Sequence, residues 1–256
     1  MLRKAFACGA ALGALMLASN SSFAQVNLIQ NGDFEVTTGH SSGEWDTNNP
    51  YVNVTGWISN GYNFVFAPDT ADTTGAHSSE FNNELKLWGP GNGVNNGLTN
   101  SPTGGNFVAA DGAFQQGAIT QVINGLTVGH SYQLGFYWAG AQQQGFDGPN
   151  TEQWQATLGS DTQLTSVYTN PSHGFSGWQQ ESFTYTATST SETLAFLALG
   201  TPNGVPPFSL LDGVTLYDIS TPPPTDTPEP GAMALAAAGL AGFAGAALRR
   251  RRLAAK

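Results

Sequence analysis

The sequence of 256 residues predicts an all-β fold, a sandwich of two sheets over residues 25–220. Several segments of this region alternate apolar and polar residues with a period of two, which is typical of half-buried strands. Turn signals such as Asn31-Gly32, Asp111-Gly112 and Asn203-Gly204 separate these segments. Because no sustained apolar stripe of helical period accompanies them, short strands around one core are the expected architecture.

The clearest predicted strand covers residues 132–138. Its even-numbered residues, from Tyr132 to Trp138, share one face because side chains alternate along a strand, and this face is expected to enter the core. Tyr137 falls on the opposite face. Four further segments alternate in the same way and are predicted to be strands: 153–158, 182–187, 193–199 and 214–217.

Residues 1–24 predict a signal peptide. Two basic residues precede an apolar stretch at 5–18, and Ser22-Phe23-Ala24 places small residues where signal peptidase cleaves. Cleavage before Gln25 is therefore expected, and the chain is predicted to be exported. The single cysteine, Cys8, lies within the signal peptide, so no disulfide can form within the mature chain.

The C-terminal part of the chain has two consecutive features. Residues 221–227 are rich in proline and threonine and predict a stiff linker. Residues 228–256 then begin with Pro228-Glu229-Pro230, continue with an uncharged apolar run at 231–248 and end in a basic tail at 249–256 that contains Arg249, Arg250, Arg251 and Arg252. At about 1.5 Å per residue the apolar run reaches roughly 27 Å as a helix, near the hydrocarbon thickness of a bilayer. The arginines would stay cytoplasmic, which places the preceding domain outside the inner membrane.

This succession resembles the bacterial PEP-CTERM sorting signal, in which a Pro-Glu-Pro motif, one transmembrane helix and a basic tail are read by an exosortase. The resemblance implies that the tail helix holds the chain in the inner membrane for a time. An exosortase would then cut near Pro228-Glu229-Pro230 and leave the domain at the cell surface or in the extracellular matrix. An ordinary membrane anchor would need no Pro-Glu-Pro motif.

The predicted mature chain is strongly acidic. Residues 25–230 hold all eighteen carboxylates of the sequence, one lysine and no arginine, so their net charge is −17. This balance argues against nucleic acid, anionic lipid headgroups and arginine-held phosphate as partners. Most of the carboxylates are expected to be solvated surface charge. So acidic a domain would nevertheless gain from bound cations such as calcium.

A series of local motifs narrows the fold class. The opening segment at 27–35 looks like the first strand of family 4 and family 22 type carbohydrate-binding modules, which are jelly rolls of the galactose-binding-like group. Further pieces fit the same template in the same order: Gly56-Trp57, 105–112, 119–126, 132–140, Gly177-Trp178 and 210–214. The resemblance implies a jelly-roll sandwich. That fold serves sugar binding, adhesion and structural support, so it does not decide among these functions.

In modules of this group, one structural calcium ion often joins the first strand to the last. The resemblance places its side-chain ligands at Glu35 and Asp212, with backbone carbonyls completing the shell. Asp33 could replace Glu35 if the register of the strand is shifted by two. The alternative is that these carboxylates face water or accept backbone amides in turns.

A sugar site needs aromatic faces surrounded by amide and hydroxyl groups. Four of the six tryptophans are expected to pack in the core or at sheet edges: Trp57, Trp138, Trp154 and Trp178. Trp45 and Trp88 lie in polar stretches rich in glycine and asparagine and are expected to be exposed on loops. A glycan-binding cleft formed by Trp88, Tyr137 and Gln143 is the resulting prediction.

Nothing in the sequence requires catalysis, and we expect that the protein is not an enzyme. Glu44 and Asp46 flank Trp45, but a solvated loop explains this trio better than a glycosidase pair. The histidines form no metal-ligand motif: His40, His77, His130 and His173. The sequence therefore predicts an exported surface or matrix protein that binds exopolysaccharide or another surface glycan, or acts in adhesion. The alternatives are a purely structural matrix protein and a secreted glycoside hydrolase.

Overall fold

A computed structural model describes residues 25–48, 50–80 and 84–220. The strands within these ranges are β1 (Thr37–Gly39), β2 (Gly43–Glu44), β3 (Val52–Val54), β4 (Ile58–Ser59), β5 (Asn63–Phe66), β6 (Phe107–Asp111), β7 (Ile119–Asn124), β8 (Ser131–Gln142), β9 (Asn150–Leu158), β10 (Asp161–Leu164), β11 (Tyr168–Asn170), β12 (Gln179–Thr186), β13 (Ser191–Thr201) and β14 (Pro207–Asp218). A short 3-10 helix, Pro90–Asn92, lies between β5 and β6. Among the described residues, no helix is long and apolar enough to cross a bilayer. The predicted signal peptide, linker and tail helix lie outside the described residues.

Two antiparallel sheets of six strands each form the fold. Sheet 1 has the order β10-β9-β13-β7-β4, and β11 also pairs with β9. Sheet 2 has the order β12-β8-β14-β6-β5-β2, and β1 pairs separately with β3. The predicted two-sheet jelly-roll sandwich is thereby confirmed.

The strand predictions are also confirmed. The predicted segment 132–138 lies within β8, and its even-numbered residues are at most 2% exposed, so this face enters the core as expected. The other four predicted segments fall in β9, β12, β13 and β14, apart from Ala187, which follows the end of β12.

The main core lies between the two sheets. Trp154 on β9 and Phe136 on β8 both contact Phe196 on β13 edge to face, with ring centroids 5.9 and 5.1 Å apart. The indole of Trp154 also donates a hydrogen bond of 2.9 Å to the carbonyl of Leu210 on β14, which links the two sheets. Aromatic packing of this kind holds sheets together beyond the burial of area alone.

A second apolar cluster covers the outer face of sheet 2 at one end. The segment between β5 and β6 supplies Leu85, Leu87 and Leu98, which pack on apolar side chains of the sheet such as Phe64 and Phe208. As a result every residue of β5 and of β6 is buried. The outer face of sheet 2 is therefore filled at this end.

The tryptophan expectations are confirmed for three core residues and wrong for Trp45, while Trp178 is half-buried against the second apolar cluster and Trp88 is half-buried rather than exposed. Trp57, Trp138 and Trp154 are 3%, 2% and 0% exposed. Trp45, expected on an exposed loop, is 0% exposed and belongs to the main core. The reason is that the backbone N–H of Trp45 donates to the Asn63 carbonyl at 2.8 Å, which continues the alternation of β2 and turns the indole inward.

One buried carboxylate predicts a pH-dependent stability. Asp111 is 3% exposed, and its Oδ1 accepts hydrogen bonds from the backbone N–H groups of Ala113 and Phe114 at 2.8 and 3.0 Å. Burial raises the pKa of Asp111 from 3.8 to about 6, and the two backbone hydrogen bonds lower it by less. Between these pH values the folded state holds a proton that the unfolded state has lost. The contribution of this group to stability is therefore full below pH 3.8 and is lost as the pH rises through 6.

Asp111→Asn is expected to remove this dependence, because the amide keeps an oxygen for both N–H groups and does not titrate. Relative to the variant, the native protein should lose up to about 3 kcal/mol of unfolding free energy between pH 4 and pH 7. Urea unfolding of both proteins across this range is the measurement. Parallel pH profiles for the two proteins would show that the Asp111 carboxyl is not desolvated.

Candidate functional site

A cleft of about 650 Å³ lies where the opening segment of the chain meets sheet 2. Its lining includes Asp33 and Glu35 from the opening segment, the turn at 103–105, and residues of β8, β12 and β14. We call it the Tyr137 cleft and define it by Asp33, Glu35, Gly135, Tyr137, Gln180 and Gly213.

The opening segment is fixed beside the last strand, β14. Leu28 N–H donates to the Leu216 carbonyl at 2.9 Å, and Val214 N–H donates to the Gly32 carbonyl at 2.8 Å. The fully buried ring of Phe34 anchors the segment, with its centroid 5.4 Å from that of Trp57. The residues on either side of it, Asp33 and Glu35, are exposed and line the cleft.

Tyr137 lies on sheet 2 between two polar neighbours. It is half-buried, and its cross-strand partners are Asp212 on β14 and Gln180 on β12. Directly opposed residues of paired strands share one face, so the three side chains form a row across the sheet. Gly135, two residues earlier on the same strand, places no side chain beside the ring.

A β-bulge on β14 shapes the wall next to Tyr137. The register shifts between Asp212 and Thr215, and Gly213 within the bulge has φ of 61°, which favours glycine. A Cβ at Gly213 would lie 3.0 Å from Cδ2 of Tyr137 and 2.8 Å from Cγ2 of Thr103. The tyrosine ring therefore packs directly on the glycine backbone.

The predicted calcium ligands Glu35 and Asp212 lie at the two ends of one turn, residues 103–106. Asp212 is fully buried, and its Oδ2 accepts a hydrogen bond from Thr103 Oγ1 while its Oδ1 accepts one of 2.7 Å from Gly213 N–H. Glu35 Oε1 accepts a hydrogen bond of 2.6 Å from Asn106 N–H. Both carboxylates thus brace the turn.

The pKa of Asp212 is raised above its usual value. Burial raises its pKa from 3.8 to about 6; hydrogen bonds from Ser101, Thr103 and Gly213 oppose this rise, and the nearby charge of Asp33 adds to it. Within residues 25–48, 50–80 and 84–220, no three His, Cys, Asp or Glu side chains are grouped to hold a metal ion. A cation here would draw on two carboxylates and on backbone or hydroxyl oxygens.

The three predicted ligand-binding residues do not all lie in one place. Tyr137 lines the cleft, but Gln143 is 3% exposed and lies just beyond the end of β8. Six residues of extended strand separate them, which is about 20 Å. Trp88 lies near Gln143, because the backbone N–H of Trp88 donates to the Gln142 carbonyl at 2.9 Å.

Trp88 belongs to a separate half-buried cluster. Its indole donates to the Phe146 carbonyl at 2.9 Å, and its ring centroid is 4.2 Å from that of His173. The Nε2 atom of His173 lies 2.6 Å from a carboxylate oxygen of Asp147, which is exposed. This cluster ties three loops together at the end of sheet 2.

The carboxylates that flank Trp45 also have structural partners. Glu44 Oε2 accepts hydrogen bonds from the backbone N–H and the hydroxyl of Ser79 at 2.7 and 2.6 Å. Asp46 accepts the N–H of Asn48 at 2.8 Å, as aspartate does in a turn. Both carboxylates therefore have structural partners, but Glu44 lies on β2 and Trp45 is fully buried, so the trio does not form the expected solvated loop.

Two residues of the cleft were missed by the reading of the sequence. Gln180 and Gly135 enter the site through their positions beside Tyr137 in sheet 2, and strand pairing between β8 and β12 is not visible in the sequence. The alternation of Tyr137 with apolar neighbours did identify its outward face. The sequence carries no signal for Gln180, because its place beside Tyr137 depends on that pairing.

Comparison with known proteins identifies the C-terminal signal. Residues 226–252 match the family model of the PEP-CTERM protein-sorting motif, in the part of the chain outside the described residues. The match confirms the predicted sorting signal, and it marks an exported protein that is processed at the membrane. Over 207 residues, 80% of its length, the chain is 29% identical to Halomucin of Haloquadratum walsbyi. The chain spans 2% of the length of that protein.

Several solved structures resemble the sandwich. The carbohydrate-binding module TmCBM61, solved with β-1,4-galactotriose, has a TM-score of 0.42 at 14% identity and is covered to 99%, against 76% of this chain. The CBM22-1 xylan-binding domain of Xyn10C from Paenibacillus barcinonensis has a TM-score of 0.36 at 10% identity, with 100% of it and 79% of this chain covered. The N-terminal cellulose-binding domain of a β-1,4-glucanase from Cellulomonas fimi has a TM-score of 0.29 at 16% identity, with 97% of it and 72% of this chain covered.

Proposed function

We propose that this chain is an exported surface or matrix protein whose sandwich binds a neutral polysaccharide in the Tyr137 cleft. The observation that carries the proposal is the half-buried ring of Tyr137 in the lining of a cleft of about 650 Å³ that also holds amide and carboxylate groups. The apolar face of a pyranose packs on an aromatic ring, while its hydroxyl groups need polar partners at the rim.

The polar groups of the cleft suit hydroxyl donors. Asp33 presents carboxylate oxygens and Gln180 presents an amide in the lining of the cleft. Carboxylates accept hydrogen bonds from sugar hydroxyls and repel anionic groups. The net charge of −17 over residues 25–230 adds to this repulsion, so uronic or sulfated polysaccharides are disfavoured as ligands.

The sorting motif supports a proposed route of delivery. Signal peptidase removes residues 1–24, the tail helix at 231–248 holds the chain in the inner membrane, and an exosortase cuts near Pro228-Glu229-Pro230. The sandwich is then left at the surface or in the exopolysaccharide layer, where it acts in adhesion. Mass spectrometry of surface material should find a form that lacks residues 249–256. If all of the protein in this material still carries residues 249–256, exosortase processing is contradicted.

One structural calcium ion is proposed between the opening segment and β14. Glu35 and Asp212 would hold it, with Asp33 close enough that its charge already perturbs Asp212. The donor set is made of hard oxygen atoms, which calcium prefers, and a cation would relieve the repulsion between the carboxylates. When bound, the ion would supply a fixed link between the two ends of the domain.

Affinity electrophoresis tests the binding proposal. The full chain, in a non-ionic detergent, is run through gels with and without exopolysaccharide extracted from the source organism, and retardation by the polysaccharide is expected. Migration that is equal in both gels would reject the proposal. Turnover of the polysaccharide during the run would instead indicate a glycoside hydrolase.

A structural role without a specific ligand is the second candidate function. It is favoured by the second apolar cluster, which fills the outer face of sheet 2 at one end with leucines from the segment between β5 and β6. A filled face leaves less surface for a long polysaccharide. Retention of the Tyr137→Ala variant at the surface, without any polysaccharide binding by the native chain, would support this candidate.

A further inference from the structure

Three buried polar side chains lie together between the sheets, at the start of β9. Asn150 and Glu152 are on β9, and Asn170 on β11 is the cross-strand partner of Asn150. They are 2%, 0% and 0% exposed. Because alternate residues of β9 face inward and paired residues share a face, all three side chains point into the same interior region.

Each of these side chains has one oxygen without a hydrogen-bond partner among the described residues. The atoms are Asn150 Oδ1, Glu152 Oε2 and Asn170 Oδ1. A buried acceptor that lacks a donor costs about 1–3 kcal/mol. Three such atoms in one region point to something that the protein atoms alone do not supply.

The orientation of both amides is fixed by their nitrogens. Asn150 Nδ2 donates to the carbonyls of Val205 and Pro206, each at 3.3 Å. Asn170 Nδ2 donates to Glu152 Oε1 at 3.0 Å and to the Gly174 carbonyl at 3.3 Å. Exchanging oxygen and nitrogen would set each amide oxygen against two acceptors. The hydrogen bonds donated by each amide nitrogen therefore fix the position of the unpartnered oxygen in the same amide group.

Two glycines lie directly beside two of the unpartnered oxygens. A Cβ at Gly140 would lie 2.9 Å from Glu152 Oε2, and a Cβ at Gly174 would overlap Asn170 Oδ1. Any other residue at either position would crowd an oxygen that has no partner. The backbone at these two glycines therefore packs directly against the unpartnered oxygens.

A cation can be coordinated by all three unpartnered oxygens at once. A proton on Glu152 could serve only one of the amide oxygens. The single lysine of residues 25–220, Lys86, already pairs with Glu84 at 2.5 Å, and these residues contain no arginine. Since the group holds one carboxylate, a monovalent ion leaves it neutral, whereas a divalent ion would leave a buried net charge.

We propose that Asn150, Glu152 and Asn170 bind a monovalent hard cation such as Na⁺ inside the sandwich. The site is separate from the Tyr137 cleft and from the calcium site proposed at Glu35 and Asp212. Its role is structural: the ion joins β9 and β11.

Thermal unfolding of the full chain tests this site. The melting temperature is measured in detergent and EGTA, once with NaCl and once with tetramethylammonium chloride at the same ionic strength. At a Na⁺ concentration ten times the Kd, a rise of about 3–6 °C over the tetramethylammonium sample is expected. Equal melting temperatures in the two salts would overturn the proposal.

Two variants assign the effect. Glu152→Gln keeps the shape of the side chain and removes its charge, so the Na⁺-dependent rise should be lost. Asp111→Asn serves as the matched control and should keep the rise, because it replaces a buried carboxylate that lies outside both proposed ion sites. A rise retained in Glu152→Gln would place the ion elsewhere and reject the assignment.

A crystallographic measurement decides the case in which Glu152→Gln does not fold. Crystals of the native full chain are soaked in RbCl, and the anomalous difference map is calculated. A peak between Asn150 Oδ1, Glu152 Oε2 and Asn170 Oδ1 is expected. A peak without anomalous signal that lies at hydrogen-bond distances of about 2.7–3.0 Å from these oxygens would show that water satisfies them and would overturn the proposal.

Discussion

Replacing Trp154 by alanine is expected to lower the free energy of unfolding by about 3–5 kcal/mol, the cost of removing a large aromatic side chain from a core. The indole is fully buried and packs edge to face on Phe196. It also donates the hydrogen bond to Leu210 that links the sheets. Alanine therefore leaves a cavity and also a buried carbonyl without its donor. Urea unfolding of the full chain at constant pH is the measurement.

Trp154→Phe separates the two contributions. It keeps most of the aromatic packing and removes the N–H donor, so a smaller loss of about 1–3 kcal/mol is expected. If alanine and phenylalanine cost the same, the hydrogen bond would carry the whole effect. If alanine costs less than about 1 kcal/mol, the core between the sheets is not packed as described.

Tyr137→Ala is expected to weaken polysaccharide binding at least ten-fold, because stacking on the ring supplies the apolar contact of the proposed site. The residue is half-buried, and its cross-strand partners are Asp212 and Gln180. Removing the ring leaves the hydroxyl partners of the cleft but no surface for the pyranose face. Affinity electrophoresis at a series of polysaccharide concentrations gives the ratio of dissociation constants.

Tyr137→Phe is the matched control, since it keeps the ring and loses only the hydroxyl. It should bind within a few-fold of the native chain, while Trp88→Ala should bind normally because Trp88 lies outside the cleft. Melting temperatures of all three variants verify that they are folded. Normal binding by Tyr137→Ala would remove the ring from the site, and loss of binding by Trp88→Ala would move the site to the Trp88 cluster.

Local pattern predicted the strands well because burial alternates along them. The even face of β8 and the inward face of β13 are visible as apolar residues at every second position. Trp45 escaped this reading, since its neighbours Glu44 and Asp46 are polar and only its pairing with Asn63 turns it inward. Composition could not show that the segment between β5 and β6 would fill the outer face of sheet 2.

The candidate site was only partly predictable. Tyr137 could be placed on an outward face from its position in the alternation, but Gln180 reaches it through strand pairing across 43 residues of sequence. Gln143 follows β8 closely in sequence, yet it lies about 20 Å from Tyr137 because an extended chain advances about 3.3 Å per residue. Asn150 and Asn170 carry no sequence signal, because their unpartnered oxygens result from which backbone carbonyls their nitrogens meet.

The single lysine of residues 25–230 has a consequence for survival outside the cell. A trypsin-like protease can cut this region only after Lys86, since no arginine and no other lysine is present. The Lys86 carbonyl accepts a hydrogen bond of 2.8 Å from Gln144 N–H, and the next residue, Leu87, donates to the Ala71 carbonyl at 2.8 Å and packs in the second apolar cluster. Proteolysis needs an extended, accessible segment, so this peptide bond must leave its neighbours before it can be cut. We therefore expect the folded domain to resist trypsin-like proteases, because it offers them a single cleavage site and the residues at that site are hydrogen-bonded and packed.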